Sequence, residues 1–482
     1  MDQGRNYDAV VIGAGPNGLA AAINLSRRFE SVLLVEAGKT VGGGVRSTDL
    51  TLPGFTHDVC STLQPLALAS PFFRQLELFR HGLEWIQPDI PLAHPFDDGS
   101  ALFLHRDLSV TASALGTDGK AYTRLMAPFV ENHDRLLPGI LKPLHLPKDP
   151  LLMARFGFHG LRSLKSLAEE RFQNDKTRAL LAGLAAHAMI PLDKPATAAF
   201  GMVLAILAHS VGWPLVRGGS QKLADALADC FRDRGGEIIT EKRIRSMNDL
   251  PPARFYFFDI TPRQLLDIEG LDLSANYRKR LERFRYGPGV CKMDWALKEP
   301  IPWKAAVCRK AGAVHLGNSL VEIEAAIRDV SMGEMPSAPY VVLAQQSLFD
   351  STRAPEGRHT AWAYCHVPHG SDQDVSDLVE RRIEQFAPGF RNVIMARSCL
   401  TAAAMERYNP NYVGGDINGG IQDLFQLYTR PVASFHPYRT SRKNIFLCSS
   451  STPPGGGVHG LCGYYASMTH MGSNLYGLLP ER

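Results

Sequence analysis

The sequence predicts an α/β protein, and three stretches carry that expectation. These are a strand–turn–helix–strand unit at the N-terminus, a helix followed by two strands within 213–265, and a strand and glycine turn leading into a last helix near the C-terminus. In the first stretch, the apolar run Ala9 to Ile12 reads as a buried parallel strand. Gly13, Gly15 and Gly18 form a Gly-x-Gly-x-x-Gly turn, an Ala-rich helix covers Leu19 to Arg28, and Val32 to Val35 is a second strand ending in Glu36. Glycines alone are a weak signal; strand, helix, strand and acid in that order make it a dinucleotide-binding unit. Gly13 permits the tight turn, Gly15 lets the backbone approach a pyrophosphate, and Gly18 lets helix and strand pack closely. The helix N-terminus offers free N–H groups and the positive end of its dipole to phosphate. Glu36, about twenty residues on, is placed to accept hydrogen bonds from a ribose.

The next segment, Val41 to Arg46, places Gly43 and Gly44 where backbone can lie against a ligand and gives Arg46 as a planar charged fork suited to phosphate. Read alone, it is equally a glycine-rich surface turn with a solvated arginine. Glu36 followed by Gly43-Gly44-Val45-Arg46 resembles the second FAD-contacting motif of flavoproteins in the amine oxidase and phytoene desaturase superfamily. That resemblance implies FAD as cofactor and a Rossmann-type, glutathione-reductase-like FAD-binding domain. It adds Pro16, Asn17 and Ala37 to the glycines, Glu36 and Arg46 as cofactor contacts.

Composition is that of an ordinary globular chain, with 482 residues, 45% hydrophobic and 21% charged. A net charge of +4 without a basic block gives no nucleic-acid partner. The eight cysteines are scattered with no Cys-x-x-Cys pair, so neither a redox dithiol nor a metal site is expected. A reducing, cytoplasmic setting follows, with no signal segment and no membrane-spanning run. No second dinucleotide unit appears, which argues against a separate nicotinamide domain.

From 213 onward the chain re-enters the nucleotide domain. Ser220 is a candidate N-cap for a helix ending at Gly235-Gly236; Glu237 to Ile244 and Tyr256 to Thr261 read as strands. By resemblance, Ile244 is a backbone contact to the cofactor. Asn444 to Cys448 reads as a strand entering Ser449 to Gly460, and Leu461 to Tyr476 as the last helix. This turn resembles the C-terminal flavin-binding motif of phytoene-desaturase-like oxidoreductases, which implies Ser450, Pro454, Gly456, Gly457 and Val458 as flavin contacts. Tyr408 to Gly420, with its Gly-Asp-x-x-Gly-Gly, then Arg430-Pro431, a strand and the Pro-Gly-Gly-Gly turn, is a succession similar to the carotenoid and retinoid oxidoreductase branch. The expected domains are therefore discontinuous: 1–95, 213–265 and 431–482 bind FAD, while 96–212 and 266–430 form an α+β substrate domain with a helical insert.

Candidate proton-handling groups are His57, Asp58, His209, Asp416 and His459. His459, at a helix start inside the flavin turn, is either a neutral group stabilising flavin charge or a structural cap. Asp58 either meets the flavin or holds a loop, and His209 either lines a substrate cavity or is a satisfied core histidine. The apolar stretches Ala198 to Val211 and Leu151 to Phe158 suit a helical core, a hydrophobic tunnel or a peripheral membrane contact. The expected activity is transfer of hydride between flavin N5 and a carbon–carbon bond of a hydrophobic, polyene or lipid-like substrate, with an unspecified electron acceptor. A flavin amine oxidase and a flavin-binding scaffold are the alternatives.

Overall fold

The computed structural model describes residues 5–470 of the chain. Its first sheet has five parallel strands, in the order Ile445–Leu447, Ala253–Phe258, Tyr7–Ile12, Val32–Val35 and Glu237–Ile239. The central strand is apolar on both sides because both faces are covered. Ala9 and Val11 pack into one core cluster, while Tyr7, Val10 and Ile12 pack into another. Helix Pro16–Leu25 begins three residues earlier than the expected Leu19, with Pro16 in its first turn, where a missing N–H costs nothing. It packs against helix Leu461–His470 so closely that a Cβ on Gly463 would lie 1.8 Å from the Asn17 carbonyl oxygen. The expected extension of that last helix to Tyr476 lies outside the described residues.

The second sheet has seven strands, in the order Ile394–Leu400, Gly289–Leu297, His359–Val367, Val341–Ala344, Ala311–Leu316, Ile90–Pro95 and Ala101–Leu104. Its pairings are antiparallel except between Ala311–Leu316 and Ile90–Pro95. Because side chains alternate along a strand, one face and the other have separate tasks. In Gly289–Leu297, Cys291, Met293, Trp295 and Leu297 pack into a core on one side, leaving Val290, Lys292 and Asp294 on the other. The second face carries a helical layer that includes Asp175–Ala185 and Thr197–Ser210.

Several expectations are corrected by this arrangement. Ile90–Pro95 joins the second sheet, so the break between the two bodies falls ahead of Ile90 and not at residue 96. The strand expected over Glu237 to Ile244 ends at Ile239, and the next runs over Ala253–Phe258 instead of starting at Tyr256. Ser220 does not cap its helix with its side chain; its hydroxyl accepts a hydrogen bond from Gln64 Nε2 at 3.0 Å. Helix Thr197–Ser210 is mostly core, with Met202, Ala205, Ile206 and Ala208 buried. Helix Pro150–Gly160 instead leaves Leu151 83% and Phe158 68% exposed. No helix among the described residues is long and apolar enough to cross a membrane.

Candidate dinucleotide and substrate site

One cavity of about 530 Å³ runs from the glycine turn to the second sheet. At one end Gly13, Gly15, Pro16, Asn17, Glu36, Ala37, Gly43, Gly44, Arg46 and Ile244 border it, and Ser450, Gly457 and Val458 come in from the C-terminal turn. Residues separated by more than 400 positions in sequence are thereby brought to one site. Pro454 and Gly456, expected as flavin contacts, do not border the cavity, and neither does Gly18, which packs against the Gly13 carbonyl. A Cβ on Gly18 would lie 1.9 Å from the Gly13 carbonyl oxygen, and Gly13 itself has a φ of +101°, so both positions demand glycine.

Glu36 is held in place by the protein's own donors. Its carboxylate accepts hydrogen bonds from Ala14 N at 2.8 Å, Gly38 N at 2.7 Å and Arg46 Nη2 at 2.9 Å. Arg46 also donates to the Thr40 carbonyl and lies over the Tyr408 ring, 6.0 Å from its centroid. The Arg46 guanidinium is therefore anchored on the acid, partly exposed where it borders the cavity.

The C-terminal turn is braced by Arg430, whose buried guanidinium donates to the Ser450 carbonyl at 2.9 Å and the Ile421 carbonyl at 3.1 Å. Asp416 shapes the adjoining loop by accepting from Gly287 N, Asn418 N and Gly420 N. Burial pushes its pKa up, and it does not border the cavity.

The other proton-handling candidates also stand off the cavity. Asp58 is fully buried and accepts from Ser47 Oγ, Thr62 Oγ1, Ser220 N and both terminal nitrogens of Arg353. His57 meets Thr51 Oγ1 at 2.8 Å, and burial lowers its pKa to about 3. Its Nδ1 is 3.5 Å from Asp294 Oδ1, but a neutral ring makes this a contact and not an ion pair. His209 is a satisfied core histidine, between Tyr122 Oη at 2.8 Å and the His105 carbonyl at 2.7 Å. His459 accepts the Leu461 N–H on Nδ1 at 3.0 Å, capping the last helix, and burial takes its pKa down to about 4. His459→Ala is expected to leave Leu461 N–H unsatisfied and destabilise the fold by about 1–3 kcal/mol. Thermal melts and stopped-flow reduction check this together, since a slowed reduction step at unchanged stability would return His459 to the chemistry.

Two groups that the sequence reading passed over do border the cavity. Lys292 is 1% exposed and ion-paired with Asp294, two residues along the same strand face. Burial raises the Asp294 pKa to about 6 against the lowering effect of Lys292. Asp259, just after strand Ala253–Phe258, puts Oδ2 2.8 Å from Gly18 N, at the helix N-terminus where a pyrophosphate would sit. Burial raises its pKa well above the usual carboxylate range, while the Gly18 N–H opposes this. A raised acid pKa favours the neutral form, so its contribution is complete below about pH 4 and is lost as pH rises through the folded value. Dinucleotide retention is expected to weaken over that rise. Asp259→Asn, which stays neutral while still accepting from Gly18 N, is expected to tighten binding at alkaline pH by about 1–3 kcal/mol. Equal dissociation constants for the two proteins at high pH would refute the charge argument.

Comparison with known proteins agrees with this geometry. The family of NAD(P)-binding Rossmann-like domains matches residues 11–74. The chain is 28% identical to mouse (Mus musculus) pyridine nucleotide-disulfide oxidoreductase domain-containing protein 2, over 96% of this chain and 92% of that one. It is 24% identical to the zeta-carotene-forming phytoene desaturase of Myxococcus xanthus, covering 95% and 91% of the two chains. The fold matches wild-type putrescine oxidase bound to putrescine with a TM-score of 0.59 at 14% identity, over 97% of this chain and all of the other. The fold and site thus define an oxidoreductase built on a Rossmann-like dinucleotide-binding domain. The resemblance to phytoene-desaturase-like oxidoreductases, read from the motifs at both ends of the chain, is borne out.

Proposed function

We propose that this chain is an FAD-dependent oxidoreductase acting on a carbon–carbon bond of a largely apolar substrate. The observation that carries this reading is the continuity of one cavity, from Gly13 and Gly15 past Lys292 to a wall of Leu204, Val290, Trp362 and Met405. The glycine positions fit a dinucleotide, because Gly13, Gly15, Gly43 and Gly44 border the cavity with no side chain where a phosphate must approach. Gly13, Gly15, Glu36, Ile244, Ser450, Gly457 and Val458 would hold FAD, which when bound supplies the hydride acceptor or donor. The chain's own residues supply the rest. Trp362, Val290 and Met405 exclude water from the substrate, and Lys292 holds a proton on Nζ at the cavity wall with Asp294 as its counter-charge.

Anaerobic photometry of the yellow protein tests the assignment. Bleaching by a polyene is expected, and it would also dismiss a redox-silent scaffold. Peroxide release with amines and no response to polyenes would move the assignment to an amine oxidase. Lys292→Met keeps the length of the side chain and removes its proton. It is expected to slow reduction by about a hundredfold, at the lower end of acid–base contributions, while the flavin stays bound. An unchanged rate would remove Lys292 from the mechanism.

A further inference from the structure

Four buried or half-buried histidines, His94, His187, His315 and His366, gather where the helical layer meets the second sheet. The expected activity uses none of them. Pairing across the sheet places Lys292 beside Tyr364, Tyr364 beside Val342, and Val342 beside His315. Lys292, Val342 and Tyr364 border the cavity, and His187 reaches it from the helical layer. His187 joins the two sides, with Nδ1 3.3 Å from Tyr364 Oη and Nε2 3.2 Å from His315 Nε2.

We propose that Tyr364 and His187 bind an oxygen-bearing group, a hydroxyl or a carbonyl, on an otherwise apolar substrate, with His315 setting their hydrogen-bond polarity. The inference rests on the apolar-substrate reading and narrows it.

The chain Tyr364–His187–His315 has two complete proton arrangements. In one, Tyr364 donates to His187 Nδ1 and His187 Nε2–H donates to His315 Nε2, so the tyrosine oxygen is left to accept from a hydroxyl. In the other, His315 donates to His187 Nε2 and His187 Nδ1–H donates to Tyr364, so the tyrosine hydrogen is free for a carbonyl. His315 Nδ1 has no hydrogen-bond partner among the described residues, so neither arrangement is blocked from behind. An apolar ligand would leave the hydrogen-bonding capacity of the Tyr364 hydroxyl beyond its bond to His187 facing hydrocarbon.

The groups are also neutral. Burial lowers His187 to about 4, takes His315 well below the ordinary imidazole value and raises Tyr364. Neighbouring charge does not reverse this, since Lys292 is already paired with Asp294. A neutral hydroxyl or carbonyl suits such a site, while a carboxylate would find no matching charge on these three groups.

Trp213 and Trp362 border the cavity and report on occupancy. Quenching of their fluorescence in the flavin-loaded protein can be titrated with four C20 polyenes of one skeleton: the alcohol, the aldehyde, the hydrocarbon and the carboxylate. The alcohol and aldehyde are expected to bind about tenfold tighter than the hydrocarbon, the equivalent of one buried hydrogen bond to a neutral group. Tyr364→Phe, which removes one oxygen without changing shape, and His187→Phe should each erase that preference. Equal affinities in the wild type, a preference for the carboxylate, or a preference that survives Tyr364→Phe would overturn the proposal. Failure of every polyene to bind would overturn the apolar-substrate reading with it, whereas tight binding of all without discrimination would remove this inference alone.

Discussion

A valine at position 15 is expected to yield folded protein without flavin. Gly15 precedes helix Pro16–Leu25 with φ −72° and ψ 174°, a conformation open to any residue, so backbone strain is not the obstacle. Space is. A Cβ there would lie 2.9 Å from Asp259 Oδ2, and the two methyl groups of valine would extend beyond it into the cavity. They would stand between a pyrophosphate and the N–H groups of the helix, removing the close approach on which anion binding at a helix N-terminus depends. Absorbance of the purified protein reads the outcome, and circular dichroism confirms the fold. A yellow Gly15→Val protein with the wild-type flavin content would overturn the cofactor assignment.

Arg353→Met is expected to lower stability by about 3–5 kcal/mol, the cost of breaking a buried ion pair from one side. Arg353 is fully buried. It donates from Nη1 and Nη2 to Asp58 Oδ2, each at 3.1 Å, from Nε to Asp350 Oδ2 at 3.0 Å, and from Nη2 to the Val216 carbonyl at 3.1 Å. Asp350 in turn accepts from Gly218 N at 2.7 Å. Removing the guanidinium strands two carboxylates in a dry interior, and methionine fills its volume without replacing its charge. Urea midpoints for Arg353→Met and for Arg353→Met with Asp58→Asn measure this. The double variant should recover part of the loss, since it deletes one of the stranded charges. A loss under about 1 kcal/mol in the single variant would contradict a buried network and match an exposed pair.

The parts of the site legible in the sequence were those set by local geometry. Gly13, Gly15 and Gly18 declare themselves because a tight turn beside a phosphate and a packed helix tolerates no side chain. Glu36 is fixed by the length of one strand–helix–strand crossover. The C-terminal turn was legible for a similar reason, and Arg430, singled out with Pro431, proves to be its brace. The proton-handling groups were not legible. His459 was read from its place near a helix dipole, yet its ring is used as a cap. Asp58 stood close in sequence to the glycine motif, and only the fold shows Arg353 arriving from almost 300 residues away to claim it. Lys292 and Asp294 left a trace, two charges in the otherwise apolar strand Gly289–Leu297, on the side opposite Met293 and Trp295. Tyr364 and His187 left none, because strand register and helix placement bring them together.

The brace at Arg430 and the closing turn have a consequence for how such a protein is made. The cavity has Gly13 on one side and Ser450, Gly457 and Val458 on the other, the turn that carries them being held by Arg430 and followed by helix Leu461–His470. Synthesis runs in chain order, so the glycine turn is made more than 400 residues before the wall that faces it. A nascent chain that stops short of Ser450 therefore has the glycine turn and lacks the wall opposite it. A ligand bound there would couple strand Tyr7–Ile12 to the turn after strand Ile445–Leu447 by mass action, so a nick in that turn would be felt at the glycine turn.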